Sequence, residues 1–594
     1  MINRTTLLRQ LQRLSVATLF LLGACTHQSA MRDGASPGSS EAPRSIATVG
    51  ATQAAVTAHP LATRAALAML DQGGNPIDAA IAAQMVLGLV EPQSSGIGGG
   101  TLIMHWDAAT GKLTSFDGLA AAPAKVTAGL TVDIDGSVLK SDDIQRGGRS
   151  VGVPGTLAVL KQVHTRYGRL AWSTLFAPAI ELAERGFPMT PYMHTILSTP
   201  TAAVDHPDMQ KLFFSDDMLV KPVGTKMKNP DYASTMKRIA ERGPAGLFLD
   251  GAGTRLVAAA TRGYRPTLMT EADLGEYRAE SREPLCAPFL LHSVCVMGPA
   301  SFGGVVVLQV LQMLEARVPV AIAKARFDFD DPEFVHYYAE AGRLAQADRL
   351  NYVGDPGFVQ VPTGALVAAG YVRERSRLID PFRMTKDVGP GAVLAKAASL
   401  TSPKAVDSDT ADATSQLAIV DREGNALSMT TTNNLNFGSR LMVDGFVLNN
   451  AMTNFSAAPR QDQAAPNRMQ ARKRPVTSMA PTIVFDPAGK PFIVGGSAVG
   501  GQIVDYISSS LVEMLGNERT PSEAIARGHV STAIRGKLQL EKGTSSESVA
   551  AALRAKGHDV DVVPMISGLG FLMRRDAGWI GAADIRRDGV AEGR

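Results

Sequence analysis

Cysteine, aromatic residues and charge bias are all scarce in this chain. Three cysteines in 594 residues are too few for a disulfide-built scaffold or a cysteine-rich metal site. Aromatic side chains make up 6% of the sequence. The 59 basic side chains are nearly matched by 56 acidic ones, so the basic footprint that a nucleic-acid binder needs is missing. The 10 histidines are scattered, with no His-x-x-x-His or Cys-x-x-Cys pair for a metal and no Gly-x-Ser-x-Gly elbow for a serine nucleophile. Gly96-Ile97-Gly98-Gly99-Gly100 lacks the Lys-Ser/Thr ending of a phosphate loop and reads as close backbone packing beside a strand. No internal repeat is visible. What remains is a globular composition, 45% hydrophobic with 57 Gly and 34 Pro, unlike a coiled coil or a collagen-like rod.

The start carries the first positive signal. Arg4, Arg9 and Arg13 precede the apolar run Leu14–Leu22, the layout of an export signal, and that run is too short to span a bilayer. It ends in Leu22-Gly23-Ala24-Cys25, which resembles the lipobox of bacterial lipoproteins, where the cysteine is acylated and the residues before it are removed. The alternative is an ordinary signal peptide with a chance cysteine. Removing Met1–Ala24 takes away three arginines and no acid, bringing the formal charge from +3 to 0, so lipid alone would hold the mature chain at a membrane. Thr26–Arg44 is rich in Ser, Gly, Ala and Pro and reads as a tether, with the folded part beginning near Ser45. Cys286 and Cys295 face each other if Pro284–Val296 is a hairpin turning at Leu290-Leu291; otherwise they are two buried apolar thiols.

Hydrophobic periodicity organises the rest. Ala65–Leu70 and Ile77–Ala83 read as two helices around the Gly73-Gly74-Asn75-Pro76 turn, with further helices at Gly155–Tyr167, Val305–Glu315, Glu333–Tyr352 and Ile503–Leu515. Leu102–Trp106, Leu417–Val420, Ala426–Thr432 and Thr482–Phe485 read as strands. Blocks of helix alternating with blocks of strand predict a layered α/β sandwich. Val388–Ala413 and Ala457–Arg472 are polar, loose stretches, and the first ends where a sharp strand pattern begins at Thr414, a place where a chain can be cut.

From about Ser45 to Asp584 the chain resembles the gamma-glutamyltransferase family of N-terminal-nucleophile hydrolases. The resemblance is carried by Gly73–Ala80, Ser95–Gly100, Ala122–Lys125, Gly152–Gly155, Ala347-Asp348-Arg349, Gly354-Asp355-Pro356, Asp421–Ala426, Asn449-Asn450 and Lys473-Arg474-Pro475 with Ser478-Met479 and Pro481-Thr482. It implies a four-layer αββα sandwich, made as one precursor and cut by itself into a large subunit, 45–413, and a small catalytic subunit, 414–594. It implies no cofactor or metal, a small amide or peptide substrate, and water or an amino acid or peptide as acceptor.

In that family the cut precedes a threonine seven residues before the aspartate of an Asp-x-x-Gly-Asn turn, which here is Thr414 after Ala413. The chemistry is intelligible without the family. A hydroxyl is a weak nucleophile, and freeing the α-amine of the same residue, which ordinarily titrates at about 7.7 to 8.0, supplies its base. By the same resemblance Thr432 supports the nucleophile, Asn434 helps hold substrate, and Gly500 and Gly501 offer backbone N–H groups to an oxyanion, with a register uncertain by one. One departure is Thr414-Ser415-Gln416 where the family has Thr-Thr-His.

The larger departure is in the grip on substrate. The family's arginine for the γ-glutamyl α-carboxylate is Leu119 here, and the polar and acidic partners of the α-amine are Ala451 and Asn454. Of two serines near the carboxylate, one is Thr477 and the other is kept as Ser478. Hydrogen bonds to charged groups contribute roughly 1.5 to 3 kcal/mol each, so losing both ends costs on the order of 100-fold in affinity. Arg440 is either a substitute carboxylate binder or a surface charge. The sequence therefore predicts an amide hydrolase or acyltransferase, exported and lipid-anchored in a bacterial envelope, for which the resemblance implies glutathione or other γ-glutamyl compounds as default substrates and the altered grip implies an acyl group smaller or less charged than γ-glutamyl. The competing expectation is an inactive envelope lipoprotein that keeps the fold as a binding module.

Overall fold

Alternation along the strands decides which layer each side chain enters. The computed structural model describes residues 52–126, 139–199, 206–248, 251–318, 327–393, 413–456, 465–532, 536–576 and 578–594. The leader, Cys25 and its tether, and residues 394–412 and 457–464 of the loose stretches Val388–Ala413 and Ala457–Arg472, lie outside the described residues.

One sheet has seven strands in the order β13-β1-β7-β8-β2-β3-β4. They are β1 (Ala54–Thr57), β2 (Gly100–Asp107), β3 (Lys112–Gly118), β4 (Glu280–Arg282), β7 (Ser415–Val420), β8 (Ala426–Thr432) and β13 (Val590–Gly593). The second has six strands in the order β12-β11-β10-β9-β6-β5. These are β5 (Leu285–Phe289), β6 (His292–Val296), β9 (Thr482–Phe485), β10 (Pro491–Gly496), β11 (Gly570–Arg575) and β12 (Gly578–Ala583). Every neighbouring pair in both sheets is antiparallel.

Along β7, Leu417 and Ile419 join one core while Ala418 and Val420 join the other, as period-2 geometry requires. The first core lies between the seven-stranded sheet and the helices α1 (Pro60–Asp71) and α2 (Pro76–Val90). The second fills the space between the sheets and continues under α3 (Gly303–Arg317), α4 (Pro332–Tyr352) and α5 (Ile503–Leu511). The result is the expected order of helix, sheet, sheet, helix. Every residue of α2 is buried, which its alanine content permits. Its start is fixed by a capping box, in which Asn75 Oδ1 accepts from the Asp78 N–H at 3.2 Å and Asp78 Oδ2 accepts from the Asn75 N–H at 3.1 Å.

The hairpin Leu285–Val296 forms with Leu290 at φ 53 in its turn, and the register pairs Cys286 with Cys295. The two are joined as a disulfide.

Three of the buried histidines bear on stability. His59 caps α1 by accepting the Leu61 N–H at 3.1 Å, His105 packs against the Tyr167 ring, and His529 lies 2.8 Å from the Ser567 hydroxyl. Burial is the main cause that pulls His59 down to about 3, His105 to about 4 and His529 well below its ordinary value. The unfolded chain binds more protons than the folded one once pH drops below about 6.5, so stability is full above that value and falls beneath it. Each histidine contributes up to about 1.4 kcal/mol per pH unit. Urea midpoints should therefore be lower at pH 5.5 than at pH 7.5, and an equal or higher midpoint at pH 5.5 contradicts this.

Candidate active site

The register of β7 against β8 pairs Gln416 with Thr430 and Ser415 with Thr431, so one step further places Thr414 opposite Thr432. Both side chains then share the inter-sheet face. The Thr414 hydroxyl donates to Thr432 Oγ1 at 2.9 Å, and Thr432 Oγ1 also accepts the Asn434 N–H at 2.8 Å. The Thr414 N–H donates to the Ser94 carbonyl at 3.2 Å. Thr414 is buried in the uncut chain and holds φ at 91°, a conformation that a β-branched residue adopts only under strain of about 1–3 kcal/mol.

A buried ion pair stands behind the threonine. Arg587 Nη1 donates to the Thr414 carbonyl at 2.8 Å, while Nη2 reaches Ser94 Oγ at 2.8 Å and Glu91 Oε1 at 3.1 Å. The guanidinium stacks on the Tyr192 ring at 4.6 Å. Ser415 Oγ donates to Glu91 Oε2 at 2.9 Å and accepts from Ser95 Oγ at 3.0 Å. Burial pushes the Glu91 carboxyl above its ordinary value, opposed by Arg587 and the Ser415 hydroxyl. Sequence reasoning misses both partners. Arg587 is 173 residues from Thr414 and sits in no motif. Glu91 stands shortly before the glycine-rich stretch and could be suspected only from that neighbourhood.

The loop after β10 supplies the backbone donor. The N–H that meets the Ala413 carbonyl, at 3.2 Å, belongs to Val499, one residue before the glycine pair singled out from sequence. Val499 is buried and adopts φ 83, where glycine would be unstrained, and its side chain hides the position from a search for glycines. Gly500 follows at φ 54, and its carbonyl accepts the Ser478 hydroxyl at 2.6 Å. Gly501 is exposed in the short turn leading into α5.

The other residues divide between the site and its supports. Asn434, at φ 82, spends its side-chain N–H groups on Asn450 O and Oδ1 at 3.2 Å and on Thr453 Oγ1 at 2.9 Å. Asn454 is half-buried and its carbonyl accepts from Asn467 Nδ2 at 2.7 Å. Thr477 Oγ1 accepts the Met479 N–H at 3.2 Å. Arg440 is mostly buried and bound to Asp142 at 2.9 Å, so it is not a solvent-facing charge. Leu119 is buried in the core between the sheets, and Ala451 joins Ala120, Ala122, Met452 and Phe455 in a small apolar cluster.

Gln416 explains its own departure from Thr-Thr-His. It lies between the sheets, donating to Ser428 Oγ at 3.0 Å and accepting from Thr430 Oγ1 at 2.6 Å, and a Cβ on Gly496 would come within 2.8 Å of its oxygen. Among the described residues no group of three or more His, Cys, Asp or Glu side chains is placed to hold a metal ion.

The family model described as Gamma-glutamyltranspeptidase matches residues 62–594. The glutathione hydrolase proenzyme of Bacillus subtilis (strain 168) is 30% identical over 557 residues, covering 92% of each chain. The Acylase ACY 1 proenzyme of Pseudomonas sp. (strain V22) is 33% identical over 550 residues, covering 90% of this chain and 92% of its own. Among solved structures, cephalosporin acylase from Bacillus halodurans shares the fold with a TM-score of 0.78 at 23% identity, over 95% of this chain and 99% of that one. The gamma-glutamyltranspeptidase of Helicobacter pylori gives a TM-score of 0.53 at 29% identity, over 57% of this chain and 96% of that one. With a family match running from residue 62 to the last residue, the chain belongs to the gamma-glutamyltranspeptidase family of hydrolases and acyltransferases.

Proposed function

We propose that this chain is the precursor of an N-terminal-threonine amide hydrolase or acyltransferase that cuts itself between Ala413 and Thr414 and acts on amides whose acyl group is not γ-glutamyl. The observation that carries the reading is the setting of one bond: Thr414 Oγ1 rests on Thr432 Oγ1 while the Val499 N–H meets the Ala413 carbonyl. In the cut, Thr414 Oγ bonds to the Ala413 carbonyl carbon and the charge on oxygen falls toward the Val499 N–H. The C–N bond breaks, the hydroxyl proton passes to the departing nitrogen, and water then opens the ester to leave the Ala413 carboxylate and a free Thr414 hydroxyl. The φ of Thr414 is defined through the bond that breaks, so its strain is released by the cut. The new α-amine then serves as base when the same hydroxyl attacks a substrate amide.

Leu119, Ala451 and Asn454 support the second half of the reading. The buried apolar Leu119 and Ala451 and the neutral Asn454 stand where the resemblance implies an arginine and polar and acidic partners, which removes the charges a zwitterionic head requires. The leader and Cys25 support export and lipid attachment to the cell envelope. One preparation tests all three points. Purified from membranes, the protein should run as two pieces on a denaturing gel, the smaller beginning Thr-Ser-Gln and the larger partitioning with detergent. It should turn over γ-glutamyl-p-nitroanilide on the order of 100-fold more slowly than ordinary family members. A single uncut piece sinks the cleavage and favours the binding module, a water-soluble large piece sinks the anchor, and rapid γ-glutamyl turnover sinks the altered acyl preference.

A further inference from the structure

Two histidines that the proposed chemistry leaves unused meet across the proposed cut. His336 lies on α4, before the cut, and His558 follows the short helix Ala550–Ala555, after it. Both are buried, and His336 Nδ1 stands 2.7 Å from His558 Nε2. On its other side, His336 Nε2 stands 2.7 Å from the Asp380 carbonyl. A carbonyl only accepts, so Nε2 carries the hydrogen, Nδ1 is left as the acceptor, and the His558 Nε2–H donates to it. Both bonds are complete with the two rings neutral. A proton added to His336 Nδ1 sets one N–H against another.

The surroundings oppose extra protons. Arg343 and Lys556 act on His558 against the single carboxylate of Glu340, which is spent on Arg343 at 2.6 Å and on the Thr385 N–H at 2.8 Å. Glu333 takes Lys556 at 2.9 Å, Asp380 takes Arg383 at 3.0 Å, and Asp561 takes Lys537 at 2.9 Å. Burial, and then His336 opposite, pull His558 down to about 4. The pair also fastens a strap, Asp380–Thr385. Besides the bond from His336 to the Asp380 carbonyl, Arg343 donates to the Thr385 carbonyl at 2.9 Å, Lys556 Nζ to the Pro381 carbonyl at 3.0 Å and the Met384 N–H to the Lys556 carbonyl at 2.7 Å. Phe382, at its middle, is 81% exposed, so polar bonds do much of the holding. Beyond the strap, Arg375 and Asp348 fix Gly389 and Gly391 at 2.9 Å each, and a release ends there.

We propose that His336 and His558 form an acid-sensitive latch between the two pieces of the protein, which holds the strap Asp380–Thr385 closed while both rings are neutral and releases it as they take protons. Freed histidines titrate near 6.5, so the closed strap is fully stable above that value and loses stability beneath it. Between pH 7.5 and pH 5.0 the open fraction should rise roughly 30-fold if opening takes up one proton and about 10³-fold if it takes up two. Amide hydrogen exchange of the purified full chain, corrected for the intrinsic effect of pH, measures this in the peptides covering 380–388 and 556–558. Protection there should fall at pH 5.0 by at least roughly 30-fold. His558→Gln should hold the strap at both pH values, because the amide donates to Nδ1 of a neutral His336, accepts from it when charged, and does not titrate. A wild-type strap equally protected at the two pH values overturns the proposal. So does an acid loss as large in His558→Gln, which traces the response to the other buried histidines. That the latch joins separate pieces rests on the proposed cut, and the two fail separately. A chain that stays in one piece yet shows the acid response keeps the latch and sinks the cut, and a cut protein without the response does the reverse.

Discussion

Thr414→Ala should leave the polypeptide in one piece and lower amide hydrolysis by at least about 10⁴-fold, the scale seen when an enzyme loses its nucleophile. The variant removes the hydroxyl that rests on Thr432, while alanine adds no bulk to the buried position. Thr414→Ser gives the complementary result. It keeps the hydroxyl, loses the methyl that makes φ 91 costly, and should still be cut, though more slowly if strain contributes to the reaction. A gel time course of the two variants separates the roles, because hydroxyl chemistry fails only in alanine and strain is eased in serine. If Thr414→Ala is cut at the wild-type site, another group is the nucleophile and the proposed mechanism is wrong.

The second large effect is expected at Arg587. Its guanidinium is the sole cation bonded to Glu91 among the described residues and also holds the Thr414 carbonyl. Arg587→Met leaves a buried carboxylate without its counter-charge, a change that typically costs about 3–5 kcal/mol. Glu91, already raised by burial, then rises further and takes a proton. A carboxyl whose folded value exceeds its unfolded one keeps its stability at low pH and loses it as pH climbs through the folded value. The deficit of Arg587→Met, read from urea midpoints, should therefore be larger at pH 8 than at pH 5. Adding Glu91→Gln should recover part of the stability without restoring the rate of cutting, since the Thr414 carbonyl still lacks its anchor. Normal cutting in the double variant means that Arg587 stabilises the fold and does not position the threonine.

Much of this molecule is legible without its structure. The helices around Asn75 and the strands Leu417–Val420 and Ala426–Thr432 are set by local periodicity and capping, and each forms where the pattern puts it. Cys286 and Cys295 become a bonded pair because a hairpin turn nine residues wide at its base has one register that brings them opposite each other. Arg440 is open to two readings in the sequence because nothing in Asn436–Arg440 announces a partner, and Asp142 lies 298 residues away. Val499 escapes a search for glycines because of its side chain, although it is its backbone N–H that meets the Ala413 carbonyl.

The chain's own order of residues determined its family, its layered architecture and the threonine at the head of a strand, since each of these is written in neighbouring residues. Tertiary structure alone decided what surrounds that threonine: Glu91 and Arg587 behind it and Val499 over the bond before it. Those groups meet because the end of α2, the loop after β10 and the segment between β12 and β13 converge on the head of β7. Hydrogen-bond register and burial fix such encounters, and neither leaves a local pattern in the sequence.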